Sequence, residues 1–518
     1  MPKKKGISIG WPWLLLFSFT AHLVTAWFSI GYHSPDEYFQ VIELASYKLG
    51  ITPPGELAWE FDARIRPAMQ PLFVYTIGQL IGATDPVWIT LLLRLFSSVE
   101  AWLVSFMLLV MVMREIKSAF PKSLLLLLFT FLWFQPYLNA RFSSENWSSI
   151  FFITGLILLM GMKGMNLFPF PKNEFAAAIA STDARRFSHR KVFLFFLSGF
   201  MLGMAFNLRY QSALMLAGLG AWLLIRQLRL REWLGLLGGG LLALFCGLLA
   251  DRWFYGEWEL TPFNYFRVNI LEGKTAEFSI DPWWSYYTGF IGSALPPFSL
   301  FFLFALLLFL LRFPGHIIVW VALPFLLFHL FYAHKEMRFL FPLSPFLPAA
   351  VAFAFEKSPG LGWLNSTVDR WGNKKFRTWF ILFAAVNVIV MGVTAIKPAN
   401  ETFSFYHFLL KNYAGKKVTL FTYSQNPYEL VGIPVVFFRP PPLQVIRISP
   451  HSSLPDLYAG EEEVSLLLES GYEPQGADAR HSGRLVYQNI PPWLMRFNYN
   501  NWLSRTRMWR VYELSPEK

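Results

Sequence analysis

Long apolar runs separated by short polar breaks recur along most of the chain. They fall near residues 9–30, 87–112, 122–137, 146–162, 192–208, 210–225, 233–254, 287–311, 315–333, 339–355 and 378–396. A hydrocarbon layer about 30 Å thick is crossed by a helix of about 20 apolar residues. Helices are the spanning form expected here because they satisfy their own backbone groups in lipid. The pattern therefore predicts roughly eleven crossings. Leu72 to Leu80 is short for a crossing, which predicts a re-entrant or partial helix over 68–82. Beyond residue 396 the pattern changes. Val418 to Tyr423 and Val435 to Phe438 read as strands, Glu461 to Ser470 as a short amphipathic helix, and Pro440-Pro441-Pro442 as a turn. The expected architecture is a mainly α, polytopic membrane domain over 1–396, with its first external loop at 31–67. A small extramembrane α/β domain follows over 397–518.

Charge fixes the sidedness of this scheme. Only 15% of the 518 residues are charged, against 54% hydrophobic, whereas a soluble chain carries about a quarter charged. The formal charge of +12 would suggest nucleic acid in a soluble protein. Here the Lys and Arg lie in short loops: Arg114/Lys117/Lys122, the 163–191 loop with Arg185, Arg186, Arg190 and Lys191, Arg226/Arg229/Arg231, Arg312, and the 356–377 loop. That is the cytoplasmic bias of membrane proteins, so membrane lipids are expected partners and nucleic acid is not. The basic start and first run are too long for a signal peptide and lack a small-residue cleavage site, so they read as a retained first helix. The single Cys246 excludes a disulfide framework or a cysteine zinc site. On this topology four polar regions share the outer face: the 31–67 loop, the 137–146 turn, the 255–285 loop, and His334-Lys335-Glu336-Met337-Arg338.

The candidate chemistry centres on His33-Ser34-Pro35-Asp36-Glu37-Tyr38-Phe39-Gln40. Acids beside hydrocarbon are costly and tend to be functional. A base that deprotonates a sugar hydroxyl needs one placed carboxylate. Neighbouring helical side chains diverge by about 100°, so Asp36 is taken as the base and Glu37 as a supporting group. The plain alternative is an interfacial helix with Asp36 at its N-cap. Metal ligation is not expected, since one loop supplies too few oxygens. Lys335 and Arg338, three apart, could clamp a lipid-linked phosphate; the alternative is a snorkelling cluster paired to Glu336. Arg209 interrupts two apolar runs on the outer side, where it serves either a site or helix-end carbonyls. Arg141, Ser144, Glu145 and Asn146 are similar. Tyr265, Asn264, Trp283 and Trp284 stand in an aromatic loop that suits an interfacial belt, sugar stacking or prenyl packing. No Walker A loop, GxSxG elbow or HExxH motif occurs. A lipid-linked donor requires none of them.

These motifs together resemble glycosyltransferase family 22, the GT-C mannosyltransferases of GPI-anchor and N-glycan assembly. His33 to Gln40 is similar to its HPDEYFQ-like signature with one residue inserted after the histidine. Ala58-Trp59-Glu60-Phe61 through Ile65-Arg66-Pro67 resembles its TWEW…IRS segment, with Pro67 in place of serine. Asp251-Arg252-Trp253-Phe254-Tyr255-Gly256-Glu257-Trp258, Pro262-Phe263-Asn264-Tyr265, Pro282-Trp283-Trp284-Ser285-Tyr286-Tyr287 and His334-Lys335-Glu336 with Arg338-Phe339 follow in order, covering roughly residues 10–350. The resemblance implies a GT-C fold of about 11–13 transmembrane helices. It also implies inverting transfer of a hexose, typically mannose, from a polyprenyl-phosphate carrier to a hydroxyl of a lipid-linked or glycan acceptor. Asp36 maps onto the family's base, with His33, Glu37, Gln40, Trp59, Glu60 and Arg66 in support. His334, Lys335, Arg338 and Arg209 are candidates for the donor phosphate, and Asn264, Tyr265, Trp283 and Trp284 for sugar or lipid. The phosphate leaves already charged, so no metal or cofactor is required once cations stabilise it.

The C-terminal region lacks the cysteine of eukaryotic relatives, and the Arg-Thr-Leu-Ser-Asn-Ser-like block is reduced to Arg141-Phe142-Ser143-Ser144-Glu145. A bacterial inner-membrane enzyme facing the periplasm is therefore expected. An ER enzyme would face the lumen, where sequons at Asn146 and Asn400 would lie. The rival readings are a lipid-linked sugar flippase or transporter, and a GT-C enzyme transferring another sugar.

Overall fold

A computed structural model of the chain describes residues 10–82, 85–161, 189–356, 374–423, 426–449, 463–471 and 483–514. The basic residues Arg185 and Arg186 fall outside these segments. The chain divides into two compact units that interleave in sequence. The first takes residues 1–28, 60–74 and 92–396; the second takes 29–59, 75–91 and 397–518.

The first unit is helical and apolar. Each run read from the sequence carries a helix, and among the described residues six helices are long and apolar enough to cross a membrane: Trp11–Phe28, Pro86–Glu115, His189–Leu208, Leu230–Tyr255, Met337–Ala354 and Thr378–Ile396. Phe298–Arg312 and Ile317–Phe331 form a pair bent by 117°, and Ala119–Phe131, Ser144–Met160 and Ser212–Ile225 are shorter apolar helices. The chain is thus an integral membrane protein. Met69–Ile81 is a helix of 13 residues, which at 1.5 Å per residue covers about 20 Å, too short to span. The core of the unit gathers Val112, Leu128, Phe152, Phe195, Trp222, Phe302, Phe325 and Phe353.

One packing seam bears on the site. Helices His189–Leu208 and Leu230–Tyr255 run parallel and meet through small residues at four-residue spacing. Gly199 and Gly203 lie on one helix, and Gly235, Gly239, Ala243 and Gly247 on the other. A Cβ at Gly199 would overlap the carbonyl oxygen of Leu236, and one at Gly239 that of Phe196. Where hydrophobicity gives helices no reason to associate, such close approach supplies the packing. Asn207 adds a hydrogen bond to the carbonyl of Ala243 at 2.5 Å. The C-terminal ends of both helices are thereby fixed side by side.

The second unit joins the first external loop to the C-terminal region. Its strands are β1 Val418–Thr422, β2 Glu429–Leu430, β3 Ile433–Pro434, β4 Leu443–Arg447, β5 Val464–Gly471, β6 Arg484–Gln488 and β7 Met508–Glu513; β2 and β3 pair with each other, and the rest form one sheet of order β4-β1-β5-β7-β6. β1 pairs in parallel with β4 and β5, and β7 is antiparallel to β5 and β6. Two local expectations are corrected. Of the segment expected as an amphipathic helix, residues 461–462 lie outside the described residues and Val464 to Ser470 belong to strand β5, because Ser465 to Leu468 are buried in succession as a central strand. Val435 to Phe438 is loop, with Val435, Phe437 and Phe438 buried rather than laddered. Helix Glu401–Tyr413 covers the sheet, with Phe405 5.6 Å from Trp509 and Phe408 4.8 Å from Tyr487.

Candidate active site

In the second unit, the acidic motif opens a helical stretch. Ser34 is the N-cap residue, Pro35 starts the helix, and Asp36 and Glu37 occupy its first turn, where acids complement the helix dipole. Glu37 accepts a hydrogen bond from the His33 backbone amide at 3.2 Å. Tyr38 to Ile42 winds as a π-type turn before α-helix resumes over Glu43–Lys48; such turns often accompany functional sites. Asp36, Glu37 and Gln40 are half-buried, while His33 and Trp59 are exposed.

This stretch rests on the C-terminal region. The Ile30 carbonyl accepts from the Ala399 amide at 2.7 Å and the Asn400 amide at 3.2 Å. Gly31 takes φ +94° there, and a Cβ on it would meet Asn400 at 2.9 Å. Tyr38 is buried against Phe403 at 5.3 Å and Phe438 at 5.9 Å. Glu43, fully buried, accepts from the Thr52 hydroxyl at 2.8 Å and the Val436 amide at 3.1 Å. Burial pushes its carboxyl above the usual glutamate range, against the pull of these donors.

In the first unit, two arginines share an acid. Arg209, just past the end of His189–Leu208 and 6% exposed, donates through Nη1 to Glu145 at 2.8 Å and to Ser144 Oγ at 3.1 Å. Arg338 reaches the same Glu145 oxygen at 3.3 Å and grips Glu336 through Nε at 2.6 Å and Nη2 at 2.9 Å. Both guanidinium groups lie over the ring of Phe339, at 5.6 and 5.1 Å. The Nε and Nη2 of Arg209 are buried without a hydrogen-bond partner among the described residues. Unmet donors on a buried cation are costly and mark a place where an anion would be stabilised.

His334 extends the network, its Nε2 2.9 Å from Glu336 and its Nδ1 2.6 Å from Ser279 Oγ. Ser279 donates to Asp281, whose carboxylate also takes the Lys335 amide at 3.1 Å. These donors hold the Asp281 carboxyl below its usual range, the Ser279 hydroxyl contributing most. The ammonium of Lys335 bonds the carbonyls of Asp281 at 2.8 Å and Tyr332 at 2.5 Å. It therefore staples the 279–281 loop to the 332–335 turn.

Tyr265 links this network to the 60–68 segment. Its hydroxyl accepts from Gln211 at 2.5 Å, and Arg66, bound to Glu60 at 2.5 Å, lies 5.8 Å from its ring. Burial pushes its phenol up, against the pull of Arg66, Arg209 and Arg338. Asn264 bonds Glu259 at 3.1 Å and the Arg64 carbonyl at 3.3 Å. Asp251 and Tyr255, at the end of the second seam helix, hold the same segment. Asp251 accepts from the Ala68 amide at 2.8 Å and the Thr261 hydroxyl at 2.5 Å, and Tyr255 donates to the Arg66 carbonyl at 2.9 Å. Trp283 and Trp284 are about half exposed and meet each other edge-on at 5.7 Å.

The first unit thus brings Glu60, Arg66, Arg209, Asn264, Tyr265, His334, Lys335 and Arg338 into one neighbourhood of polar contacts. His33, Asp36, Glu37, Gln40 and Trp59 belong to the second unit. Sequence reasoning assigned no role to Asp251 or Asp281 and gave Glu145 little weight. An acid inside the 233–254 run was the available signal.

This chain belongs to the Alg9-like mannosyltransferase family, whose sequence profile matches residues 13–422. Among its relatives is GPI alpha-1,2-mannosyltransferase 3 of Homo sapiens, 24% identical over 371 residues that make up 68% of this chain and 60% of that protein. GPI mannosyltransferase 3 of Yarrowia lipolytica is 26% identical over 374 residues, 70% of this chain and 63% of that one. The match thus takes in about three-fifths of these relatives' length. ArnT from Cupriavidus metallidurans, in a structure bound to undecaprenyl phosphate, aligns over 99% of this chain and 100% of its own at 13% identity and a TM-score of 0.47.

Proposed function

We propose that the chain is an inverting glycosyltransferase that moves a hexose, mannose by its family, from a polyprenyl-phosphate carrier to a hydroxyl of a lipid-linked or glycan acceptor on the extracytoplasmic face. Asp36 takes the acceptor hydroxyl proton as the new C1–O bond forms, and the bond from C1 to the phosphate oxygen breaks on the opposite face. A β-linked donor gives an α-linked product. Arg209 meets the departing phosphate with its open donors, Arg338 and His334 shape the pocket around it, and Lys335 holds the turn that carries them. Arg66 and Tyr265 lie next to these cations, where the sugar of the donor would sit. In a bacterium the reaction faces the periplasm.

The observation that carries this reading is Arg209, a buried arginine held on one side by Glu145 with two donors unmet. Preorganised donors of this kind act where charge develops in the transition state. The test is the purified full chain with a panel of radiolabelled polyprenyl-phosphate sugars. Transfer from the mannose carrier is expected. Asp36→Asn is expected to express and bind donor but to lose turnover by about 10²–10⁴-fold, the usual contribution of a positioned base. Unchanged turnover in that variant rejects Asp36 as the base, and no transfer from any such carrier rejects the reaction class.

A further inference from the structure

The second unit carries a surface that none of this chemistry uses. Between β6 and β7 the chain folds as a short helix, Pro492–Met495, and a 3₁₀ turn, Tyr499–Arg505. It is a built element. Met495 and Trp502 pack on the buried Ile490, Leu503 and Met508, Trp502 donates to the Phe497 carbonyl at 2.9 Å, and Asn498 accepts from the Leu503 amide at 3.1 Å. Yet it turns three aromatic rings outward: Trp493 is 62% exposed, Phe497 67% and Tyr499 89%. Arg496 and Arg505 are exposed among them, and from Asn489 to Tyr512 the sequence has four arginines and no acid.

We infer that this surface docks on the headgroup layer of the membrane, its rings at the interface and its arginines on anionic lipid phosphates. Three observations choose this occupant. Trp and Tyr favour the membrane–water interface, and each arginine near an anionic leaflet adds attraction. A second copy meeting the same patch about a two-fold axis would set arginine against arginine, which repels. Finally, the chain enters the unit directly from candidate membrane spans. Ile30 and Ala399, hydrogen-bonded to each other, lie just beyond the ends of the candidate spans Trp11–Phe28 and Thr378–Ile396.

The test uses the full chain with Cys246→Ala and one new cysteine, Phe497→Cys, labelled with an environment-sensitive fluorophore. The protein is placed in detergent, in phosphatidylcholine nanodiscs, and in nanodiscs containing phosphatidylglycerol. Expected are a blue shift and quenching by headgroup-level spin-labelled lipid, strongest with phosphatidylglycerol. The same label at Val431→Cys, a position 82% exposed in the same unit, should stay water-like. Arg496→Glu with Arg505→Glu should remove the phosphatidylglycerol dependence. Two results overturn the inference: a label at 497 as wet in nanodiscs as in detergent, or one already blue-shifted in detergent and untouched by lipid quencher, which would mean protein covers the patch.

Discussion

Arg209 and Lys335 illustrate how one kind of charge takes different work from its surroundings. Lys335 spends its ammonium on two carbonyls, whereas Arg209 keeps two buried donors open. Arg209→Ala is therefore expected to lower kcat/KM for the donor by roughly 10- to 100-fold, the worth of a charge-assisted hydrogen bond. Lys335→Ala should lower it less. Steady-state kinetics on both variants decide the order, and the reverse order would move the phosphate contact to Lys335. Glu145→Gln leaves two buried guanidinium groups without their shared counter-charge, a loss of about 3 kcal/mol or more, read as a lower melting temperature in detergent. Glu43 makes a pH prediction. Its folded carboxyl sits above the glutamate range because it is buried, so the folded state binds the proton more tightly than the unfolded one. Its contribution to stability is fully present below the unfolded value and is lost as pH rises through the folded one. Thermal unfolding across mildly acidic to neutral pH should show this loss, and Glu43→Gln should flatten it. Sequence alone gave Arg209 its place between two apolar runs. It could not show that Lys335 turns back on its own chain, because that depends on the 279–281 loop lying beside residues 332–335.

Among the elements, the glycine seam sets the ends from which Arg209, Asp251 and Tyr255 project. Gly199→Leu or Gly239→Leu must push the helices apart, at about 1–3 kcal/mol for overpacking. Gly220→Ala, where an added Cβ meets nothing within 4 Å, should be neutral or stabilising by about 0.5–1 kcal/mol. Size-exclusion profiles and melting temperatures compare the three. A stable, monodisperse Gly239→Leu would mean the seam opens without cost. The helices of this unit were legible because an all-apolar run in lipid has few options. The strands were less so: Ser465 to Leu468 of β5 are buried in succession, so both faces are covered, which erases the alternation that marks a half-exposed strand. The loop at Val435–Phe438 looked like a strand because its side chains bury against Tyr38 and Phe403 rather than in a ladder.

At the scale of the molecule, the boundary of the C-terminal region is less simple than a cap on a membrane domain. Asn400, Phe403, Val436 and Phe438 form the bed on which the Asp36 stretch is built. A chain ending at Ala395 is therefore expected to insert in the membrane yet show no transfer even to a short acceptor, measured with the same labelled donor. Retained activity would reduce the C-terminal region to a lid. No sequence pattern announces that arrangement, since the partners lie some 393 positions apart. The separation has a consequence for biogenesis. At about 5–20 residues per second, Glu43 leaves the ribosome roughly 20–80 s before Val436 does. Through that interval the acidic stretch waits without its support, so a chaperone or protease at the outer surface would meet it before its fold is closed.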